Sequence, residues 1–313
     1  HERLSTKHSH SYFERESGEK GLAYVKGQVS DGVFKESDGG IVFEGEQYGL
    51  HTRVFINSQG LPTYEAKDVG LPATKYHDYK YDLSIIITAN EINEYFKVVL
   101  KALSLIDPDL SAKTKHISHG VVRLPDGKMS SRTGNVIEGE WLIDKAKESI
   151  LKKFKLDKKT AETIAIASVK YSFLKNSVYS PIAFDFDESI SLEGNSGPYL
   201  LYTYVRCQSV LKKANTVKAS LNKQNLKKEE LNLLRILTNF EHIVYEAANN
   251  LSPNIIANYL YELSQTYNLF YQKHKILDPK DDIKKLRVLL TKSTGQVIKK
   301  GLYLLGIETV EKM

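Results

Sequence analysis

The stretch that most constrains the fold of this chain is residues 116–136, HISHGVVRLPDGKMSSRTGNV. Its apolar centre, GVV at residues 120–122, is typical of the end of a buried strand. Pro125 and Gly127 follow at positions that favour a tight turn. A loop rich in charge and hydroxyl groups, KMSSRTGN, comes next. The stretch therefore predicts a strand, a turn and a polar loop in succession.

The loop after the turn carries groups that suit an oligophosphate. Lysine and arginine offset phosphate charge, while hydroxyls and backbone N–H groups donate to the remaining oxygens. A solvated basic turn is the simpler alternative for a loop of this composition. The ordered string favours the first interpretation. LPDGKMSSRTGNV resembles the Lys-Met-Ser-Lys signature of class I aminoacyl-tRNA synthetases, in the extended form of the arginyl-tRNA synthetases.

This resemblance assigns roles to the loop. It implies that the Lys128 ammonium and the hydroxyls of Ser130 and Ser131 act in catalysis, by closing on the departing β- and γ-phosphates of ATP. Ser131 stands where the general class I loop has a second lysine, and Arg132 is expected to face tRNA. Mg²⁺ is expected to arrive with ATP, without a metal site in the protein. The residues expected to bind ATP are His119, Gly120, Lys128, Met129 and Ser130.

Composition narrows the class of protein. A chain of 313 residues can form two domains with separate cores. The sequence contains no run of eighteen apolar residues and its first residues lack the apolar centre of a secretory signal, which predicts a cytoplasmic protein without a membrane partner. Cys207 is the single cysteine, which excludes an internal disulfide and a cysteine zinc site. We expect Cys207 to be buried in a helix.

The net charge of +6 is unevenly distributed. Residues 1–140 carry 17 Lys and Arg against 20 Asp and Glu, a net −3, whereas residues 141–313 carry 27 against 18, a net +9. A basic, tyrosine-rich second part indicates a polyanionic partner. A solvated lysine-rich surface explains the charge equally well.

Two segments predict substrate contacts at a parallel sheet. Residues 84–88, SIIIT, are apolar and β-branched and predict a buried strand. Asn90 and Glu91 follow the strand, where open parallel sheets bind their ligands. Relatives often carry a polar Gln or His where this chain has Ile92, so the resemblance makes Glu91 the nearest polar substitute for an arginine contact.

The second segment is a helix that opens near Leu61. Tyr64 and Asp68 lie four residues apart and share one helix face. An aromatic ring beside a carboxylate suits a guanidinium, although an ordinary helical pair would look the same. The segment also resembles the Thr-Tyr-x-x-x-Asp element of arginyl-tRNA synthetases, which implies that Tyr64 and Asp68 bind the arginine side chain.

The triplet His8-Ser9-His10 does not provide the other class I signature, His-x-Gly-His. No apolar strand precedes it, and its glycine is absent. A surface histidine cluster is the better interpretation. The resemblance then implies that the true signature lies before residue 1, in a missing N-terminal half of the synthetase, within the same polypeptide or as a separate chain.

The remainder of the chain predicts helices. Residues 140–154 predict an amphipathic helix with Trp141 among its buried side chains, and residues 229–249 predict one long helix. An apolar stripe that includes Tyr259, Tyr267 and Phe270 is expected to be core first and an RNA contact second.

Residues 194–199, GNSGPY, resemble the element that opens the anticodon-binding domain of arginyl-tRNA synthetases. The string YNLFY at residues 267–271 resembles part of the anticodon-facing surface of that domain. The residues that the resemblance assigns to tRNA are Arg132, Arg206, Asn268, Phe270, Tyr271 and Met313.

The predicted fold is an α/β parallel sheet, part of a Rossmann-like class I catalytic domain, followed by an all-α helical-bundle anticodon-binding domain. The predicted boundaries are residues 1–140 for the catalytic part, 141–190 for a helical connector and 191–313 for the anticodon-binding domain. The function that the resemblance implies is ATP-dependent attachment of L-arginine to arginine tRNA, by a chain expected to be inactive alone. A tRNA-binding module without catalysis is the alternative.

Overall fold

The computed structural model describes residues 2–123, 138–214, 226–278 and 283–313. The chain divides into two compact units. The first comprises Lys7–Val121, and the second comprises Val122–Met313 together with the first residues of the chain. Within the described ranges, no helix has the length and apolar character needed to cross a bilayer.

The first unit combines two small sheets with four helices. Strands β1, β2 and β3 form an antiparallel sheet in that order, and β4 and β5 form a parallel pair. The helices and strands are, in chain order, α1 (Glu14–Gly27), β1 (Lys35–Ser37), β2 (Gly40–Phe43), β3 (Arg53–Ile56), α2 (Tyr64–Tyr79), β4 (Ser84–Ala89), α3 (Asn93–Ile106), α4 (Pro108–Ala112) and β5 (Thr114–His119).

The packing of α1 on α2 depends on two glycines at the crossing. A Cβ atom on Gly21 would lie 1.9 Å from the carbonyl oxygen of Ala66, and one on Gly70 would lie 2.3 Å from that of Ser17. No side chain fits at such distances, so glycine is required at both positions for the helix backbones to meet. This contact fixes the helix that carries Tyr64 and Asp68.

Strand β4 is only partly buried, which corrects the sequence prediction. Ile85 and Ile87 are 37% and 66% exposed, although Ser84 on the opposite face is buried. Successive side chains of a strand alternate between the two faces of a sheet. Within the described residues β4 pairs with β5 alone, and the face that carries Ile85 and Ile87 is open to solvent.

The second unit is predominantly helical. Its two short strands pair in parallel, Val122 opposite Ile182. Its elements are, in chain order, β6 (Val122–Arg123), α5 (Gly139–Lys153), α6 (Lys158–Leu174), β7 (Ile182–Ala183), α7 (Phe186–Ser189), α8 (Gly197–Ala214), α9 (Lys228–Thr238), α10 (Phe240–Asn249), α11 (Pro253–Lys273) and α12 (Lys284–Leu304). The predicted order, a parallel α/β part followed by a helical part, is confirmed.

Details of the helical unit confirm some predictions and correct others. Cys207 is fully buried in α8, as predicted, and the aromatic stripe of α11 is core. The predicted single helix over 229–249 is two helices that meet at Asn239. Trp141 is 41% exposed, whereas its neighbour Leu142 is 6% exposed, because the inward face of α5 lies one residue further along.

A buried ion pair connects α9 to α12. Arg287 Nε donates to Glu230 Oε1 at 2.7 Å, and both side chains are buried. The second carboxylate oxygen of Glu230 accepts from the backbone N–H of Lys227 at 2.7 Å. Both oxygens of this desolvated carboxylate are therefore hydrogen-bonded, as a buried charge requires.

Removing the cation of this pair should destabilise the helical unit. We expect Arg287→Met to lower the free energy of unfolding by about 3–5 kcal/mol, because Glu230 would remain buried without a countercharge. Lys285→Met is the matched control, since Lys285 is an exposed cation on the same helix. Chemical denaturation of both variants measures the difference, and equal stability would contradict the role assigned to the pair.

Candidate functional site

The carboxyl ends of β4 and β5 lie side by side. Ala89, the last residue of β4, pairs with His119, the last residue of β5. Asn90 and Glu91 directly follow β4 and are exposed. His119 is also exposed, and its Nδ1 lies 2.9 Å from the carbonyl oxygen of the buried Gly120. The structure thus brings the predicted arginine contact Glu91 and the predicted ATP contact His119 to one sheet edge, where parallel sheets bind ligands.

The predicted catalytic loop lies outside the described residues, which stop at 123 and resume at 138. Strand β6 precedes this gap and α5 follows it. The assignments that stay predictions for this reason are those of Lys128, Met129, Ser130, Ser131 and Arg132.

The start of α2 is anchored to β3. Thr63 Oγ1 donates to the carbonyl oxygens of Val54 and Phe55, at 2.8 and 3.0 Å, and the Thr63 backbone N–H also donates to Phe55. This anchor fixes the first turn of the helix, where Tyr64 lies and presents a side chain that is 66% exposed. Asp68 follows one turn later and is half-buried.

The Tyr64 ring already interacts with a cation. Lys67 Nζ lies 4.7 Å from the ring centroid and forms an ion pair with Glu14 at 2.7 Å. Aromatic faces attract cations through the ring quadrupole, and an exposed ring can accept one on either face. Tyr64 therefore offers the type of surface on which a guanidinium can stack.

Asp68 is held by a neutral donor. The Tyr95 hydroxyl on α3 donates to Asp68 Oδ2 at 2.6 Å. Burial raises the pKa of Asp68 above its ordinary value of 3.8, and this effect exceeds the opposite effect of the Tyr95 hydrogen bond. Sequence analysis did not identify Tyr95. The signal available was an aromatic residue four positions after Glu91, in the first turn of α3.

The cations near Asp68 are engaged elsewhere. Arg53 Nη1 pairs with Glu65 Oε1 at 3.1 Å, and Lys67 pairs with Glu14. Among the described residues, no side-chain cation lies within ion-pair distance of the Asp68 carboxylate. A half-buried carboxylate with one neutral donor and no countercharge is suited to an incoming cation.

The second candidate site surrounds Arg206 in the helical unit. The Arg206 guanidinium lies between two aromatic rings, 4.7 Å from the centroid of Tyr202 and 4.8 Å from that of Tyr271. It also donates to Asn268 Oδ1 at 2.5 Å and to the Tyr202 hydroxyl at 2.9 Å. Tyr271 remains 40% exposed. Arg206 therefore fixes an aromatic ring that solvent, or a nucleic-acid base, can reach.

Two residues predicted to contact tRNA lie inside the helical unit instead. Phe270 is fully buried, so its ring is not available to a base. Asn268 is 8% exposed, and its amide also donates to the Tyr199 hydroxyl and Thr203 Oγ1, at 3.0 Å each. This corrects the prediction of direct contacts: on α11 these side chains point into the core, whereas Tyr271 points outward. Asn268 orients Arg206 from within.

A basic cleft adjoins Tyr271. It has a volume of about 740 Å³ and lies where α8 faces the end of α11. Lys213, Lys273 and Lys275 contribute ammonium groups to its lining, although Lys273 pairs with Glu229 at 2.7 Å and Asp278 also lines the cleft. Met313, the remaining predicted tRNA contact in the described residues, is half-buried and packs against the core of the unit. An exposed ring beside several cations is the combination that binds single-stranded nucleic acid.

Helix α12 presents a second basic surface. The helix contains no acidic residue, and Lys285, Lys292, Lys299 and Lys300 are all exposed. Tyr303 extends this surface toward the end of the helix, with Lys300 Nζ 5.3 Å from its ring centroid. Such a surface attracts phosphates whatever their sequence.

The electrostatics of Asp68 can be tested by stability. We expect Asp68→Asn to raise the melting temperature by a few degrees at pH 7, because it removes a desolvated charge and keeps an oxygen that accepts from Tyr95. As the pH falls from the raised pKa of Asp68 toward 3.8, the wild-type carboxylate is protonated and the difference should shrink.

Asp109→Asn is the control for this measurement, because Asp109 is an exposed carboxylate of the same unit. It should leave the melting temperature unchanged across the pH range. A lower melting temperature for Asp68→Asn at pH 7 would mean that the charge stabilises the fold.

Comparison with known proteins assigns a family model to each part of the chain. Residues 16–186 match the family model described as tRNA synthetases class I (R), catalytic domain. Residues 200–313 match the DALR anticodon binding domain. The first match alone covers more than half of the chain.

The curated relatives that match the chain are arginine–tRNA ligases. The arginine–tRNA ligase of Clostridium kluyveri is 35% identical over 294 residues, which cover 90% of this chain and 52% of the relative. That of Parabacteroides distasonis is 32% identical over 320 residues, which cover 96% of this chain and 54% of the relative. The chain thus spans about half the length of the curated relatives it matches.

Solved structures show the same fold. The arginyl-tRNA synthetase of Thermus thermophilus superposes with a TM-score of 0.86 at 22% identity, over 100% of this chain and 61% of that one. The enzyme of Plasmodium falciparum superposes with a TM-score of 0.77 at 21% identity, over 100% of this chain and 55% of that one. With the family model that covers residues 16–186, these matches lead to one conclusion: the chain belongs to the class I arginyl-tRNA synthetase family.

Proposed function

We propose that this chain supplies the arginine-selecting and tRNA-binding parts of an arginine–tRNA ligase. In the proposed reaction the arginine carboxylate attacks the α-phosphorus of ATP, the bond to the β-phosphate breaks, and arginyl-adenylate and pyrophosphate form. A hydroxyl of the terminal adenosine of arginine tRNA then attacks the arginyl carbonyl, and AMP leaves. Family membership and the two sites described above support this proposal.

The observation that carries the proposal is the state of Asp68. Its carboxylate is half-buried, accepts a hydrogen bond from a neutral donor and forms no ion pair among the described residues, one helical turn after the exposed Tyr64. Arginine would supply a planar guanidinium to pair with the carboxylate and to stack on the ring. Glu91, at the neighbouring sheet edge, is the third proposed arginine contact.

ATP is proposed to bind at the carboxyl edge of β4 and β5. His119 and Gly120 would contact the nucleotide there, and Met129 would contribute from the loop. Lys128, Ser130 and Ser131 would offset the charge that develops on the departing pyrophosphate, each donor contributing roughly 3–4 kcal/mol to transition-state stabilisation. Mg²⁺ would enter with ATP, bound by phosphate oxygens and water.

Arginine tRNA is proposed to bind the helical unit. An unpaired anticodon base would stack on Tyr271, whose ring Arg206 holds in place, and Met313 would contribute an apolar contact. The lysines of the adjoining cleft and of α12 would bind phosphates. Arg132 is proposed to meet tRNA from the loop. We retain the proposed division into residues 1–140, 141–190 and 191–313, with the last part reading the anticodon.

The full activity is proposed to need the part of the relatives' length that this chain does not match. That part, in the same polypeptide or in a separate chain, would supply the His-x-Gly-His half of the nucleotide site. Among the described residues the face of β4 that carries Ile85 and Ile87 is uncovered, which supports a further segment packing there, because parallel strands are usually covered on both faces. We propose a cytoplasmic location for the chain, because its proposed substrates, arginine, ATP and arginine tRNA, are substrates of translation.

A tRNA-binding module without catalysis is the second candidate. It would use the basic cleft and α12 but would have no need for Tyr64 and Asp68 on one face of α2. The two candidates therefore differ in whether the first unit contributes to arginine selection.

Reconstitution separates the two candidates. We expect no arginine-dependent ATP–pyrophosphate exchange from the chain alone, and exchange when it is co-expressed with the N-terminal half of a class I arginyl-tRNA synthetase. In the reconstituted enzyme Asp68→Ala should weaken arginine use by about 2–5 kcal/mol in kcat/KM, because a desolvated guanidinium would lose its countercharge. Asp109→Ala is the control at an exposed carboxylate.

Two results would contradict this proposal. Exchange by the isolated chain would show that the nucleotide site is complete without the added half. An unchanged Michaelis constant for arginine in Asp68→Ala would remove Asp68 from the arginine pocket and favour the binding module.

Binding of tRNA should separate into two contributions. Replacing Lys292, Lys299 and Lys300 with Gln should reduce the slope of log affinity against log salt by up to about three, without changing preference among tRNAs. Tyr271→Ala should leave the slope unchanged and reduce discrimination between arginine tRNA and other tRNAs.

Tyr245→Ala is the matched control for Tyr271→Ala, because Tyr245 is an exposed tyrosine on α10 of the same unit. Titrations at several salt concentrations, with melting temperatures measured in parallel, give both quantities. Full discrimination by a natively folded Tyr271→Ala would remove α11 from the anticodon site.

A further inference from the structure

We propose that Tyr95 is a positioning residue for arginine selection: its hydroxyl holds one oxygen of Asp68, so that the other oxygen is presented to the guanidinium. This inference rests on the proposed function, because it concerns the same arginine pocket. It adds a residue that the sequence motifs do not include, on a different helix from Tyr64 and Asp68.

The geometry of the contact is that of a strong hydrogen bond. The donor and acceptor oxygens are 2.6 Å apart, within the range for a hydroxyl that donates to a carboxylate. Tyr95 lies in the first turn of α3 and Asp68 in the second turn of α2, and 27 residues separate them in sequence. The contact therefore joins two helices, and no local backbone preference can produce it.

The ring of Tyr95 is itself fixed. The Arg53 guanidinium lies 5.2 Å from the ring centroid, and the Phe96 ring meets it edge-on at 5.1 Å. Arg53 is in turn held by Glu65 at 3.1 Å. Because these neighbours restrict the ring, its hydroxyl points in a defined direction. The hydrogen bond from this hydroxyl therefore orients the Asp68 carboxylate.

A neutral donor is the useful choice at this position. The two carboxylates that neighbour Asp68, Glu14 and Glu65, each pair with a cation of the chain. A lysine or arginine in place of Tyr95 would neutralise Asp68 and compete with the substrate guanidinium. The Tyr95 hydroxyl orients the carboxylate and leaves its charge for the ligand.

The hydrogen bond also favours the ionised form of Asp68. Burial raises the pKa of Asp68, and the Tyr95 hydrogen bond acts in the opposite direction. The pKa of Tyr95 is itself raised by burial and by the adjacent carboxylate, so the hydroxyl keeps its proton at neutral pH. Without the Tyr95 hydroxyl the pKa of Asp68 should rise further. A larger fraction of the protein would then carry a neutral Asp68, which binds arginine less well.

The test compares Tyr95→Phe with Tyr81→Phe in the full chain. Tyr81 is the matched control, because it is a half-buried tyrosine of the same unit whose hydroxyl donates to a backbone carbonyl, that of Pro72 at 3.1 Å. Calorimetric titration with L-arginine at pH 5–8 should show roughly tenfold weaker binding by Tyr95→Phe at pH 7. The loss should grow as the pH falls, and Tyr81→Phe should bind like the wild type.

A second readout keeps this inference separate from the proposed function. Carbon-13 NMR of the Asp68 carboxyl gives its pKa without any ligand, and Tyr95→Phe should raise that pKa. If the wild-type chain binds no arginine, the proposed pocket fails in this chain while the carboxyl titration still tests Tyr95. An Asp68 pKa that is equal in wild type and Tyr95→Phe would overturn the inference.

A variant that fails to fold does not end the test. If Tyr95→Phe lacks a cooperative thermal transition, Asp68→Asn tests the same hydrogen bond by changing its acceptor. Replacing the charged acceptor with a neutral amide should shift the carbon-13 resonance of the Tyr95 phenol carbon at neutral pH, where the phenol stays protonated. An identical Tyr95 resonance in wild type and Asp68→Asn would overturn the inference.

Discussion

A half-buried carboxylate without a cation is costly to keep ionised, and Asp68 is such a group among the residues that the structure describes. Two glycines let α1 approach α2 closely, and Thr63 anchors the first turn of α2 to β3. Tyr95 then donates a hydrogen bond that orients the carboxylate. The surrounding fold thus maintains a charge that folding alone does not favour, as is common where binding requires it.

The second unit handles a charged group in the opposite way. Arg206 is satisfied within the chain, by two aromatic rings and by Asn268. Two of its N–H groups donate to Asn268 and to the Tyr202 hydroxyl, and its guanidinium contacts the ring of Tyr271 at the surface. In one unit a neutral hydroxyl orients a carboxylate, and in the other a guanidinium orients a neutral ring. Under the proposed function, both arrangements would pre-organise a contact before binding and reduce the entropy lost when the ligand is bound.

Burial distinguishes residues that support a site from residues that can touch a ligand. Asn268 and Phe270 belong to a string that resembles an anticodon-facing surface, yet both are buried, while Tyr271 in the same string is exposed. The exposed lysines of α12 differ again, since they neither pack nor orient anything in the core. Their contribution to binding would be electrostatic and sensitive to salt.

The sequence by itself determined the family resemblance, the α/β-then-helical order and the pair Tyr64 and Asp68, because these depend on local strings and on periodicity. It also determined that the second part is basic. Only the tertiary structure decided that Tyr95 meets Asp68, that Asn268 holds Arg206 and that Ile85 and Ile87 face solvent. Each of these depends on which segments pack together over distances of many residues, and neither helix period nor strand alternation encodes that choice.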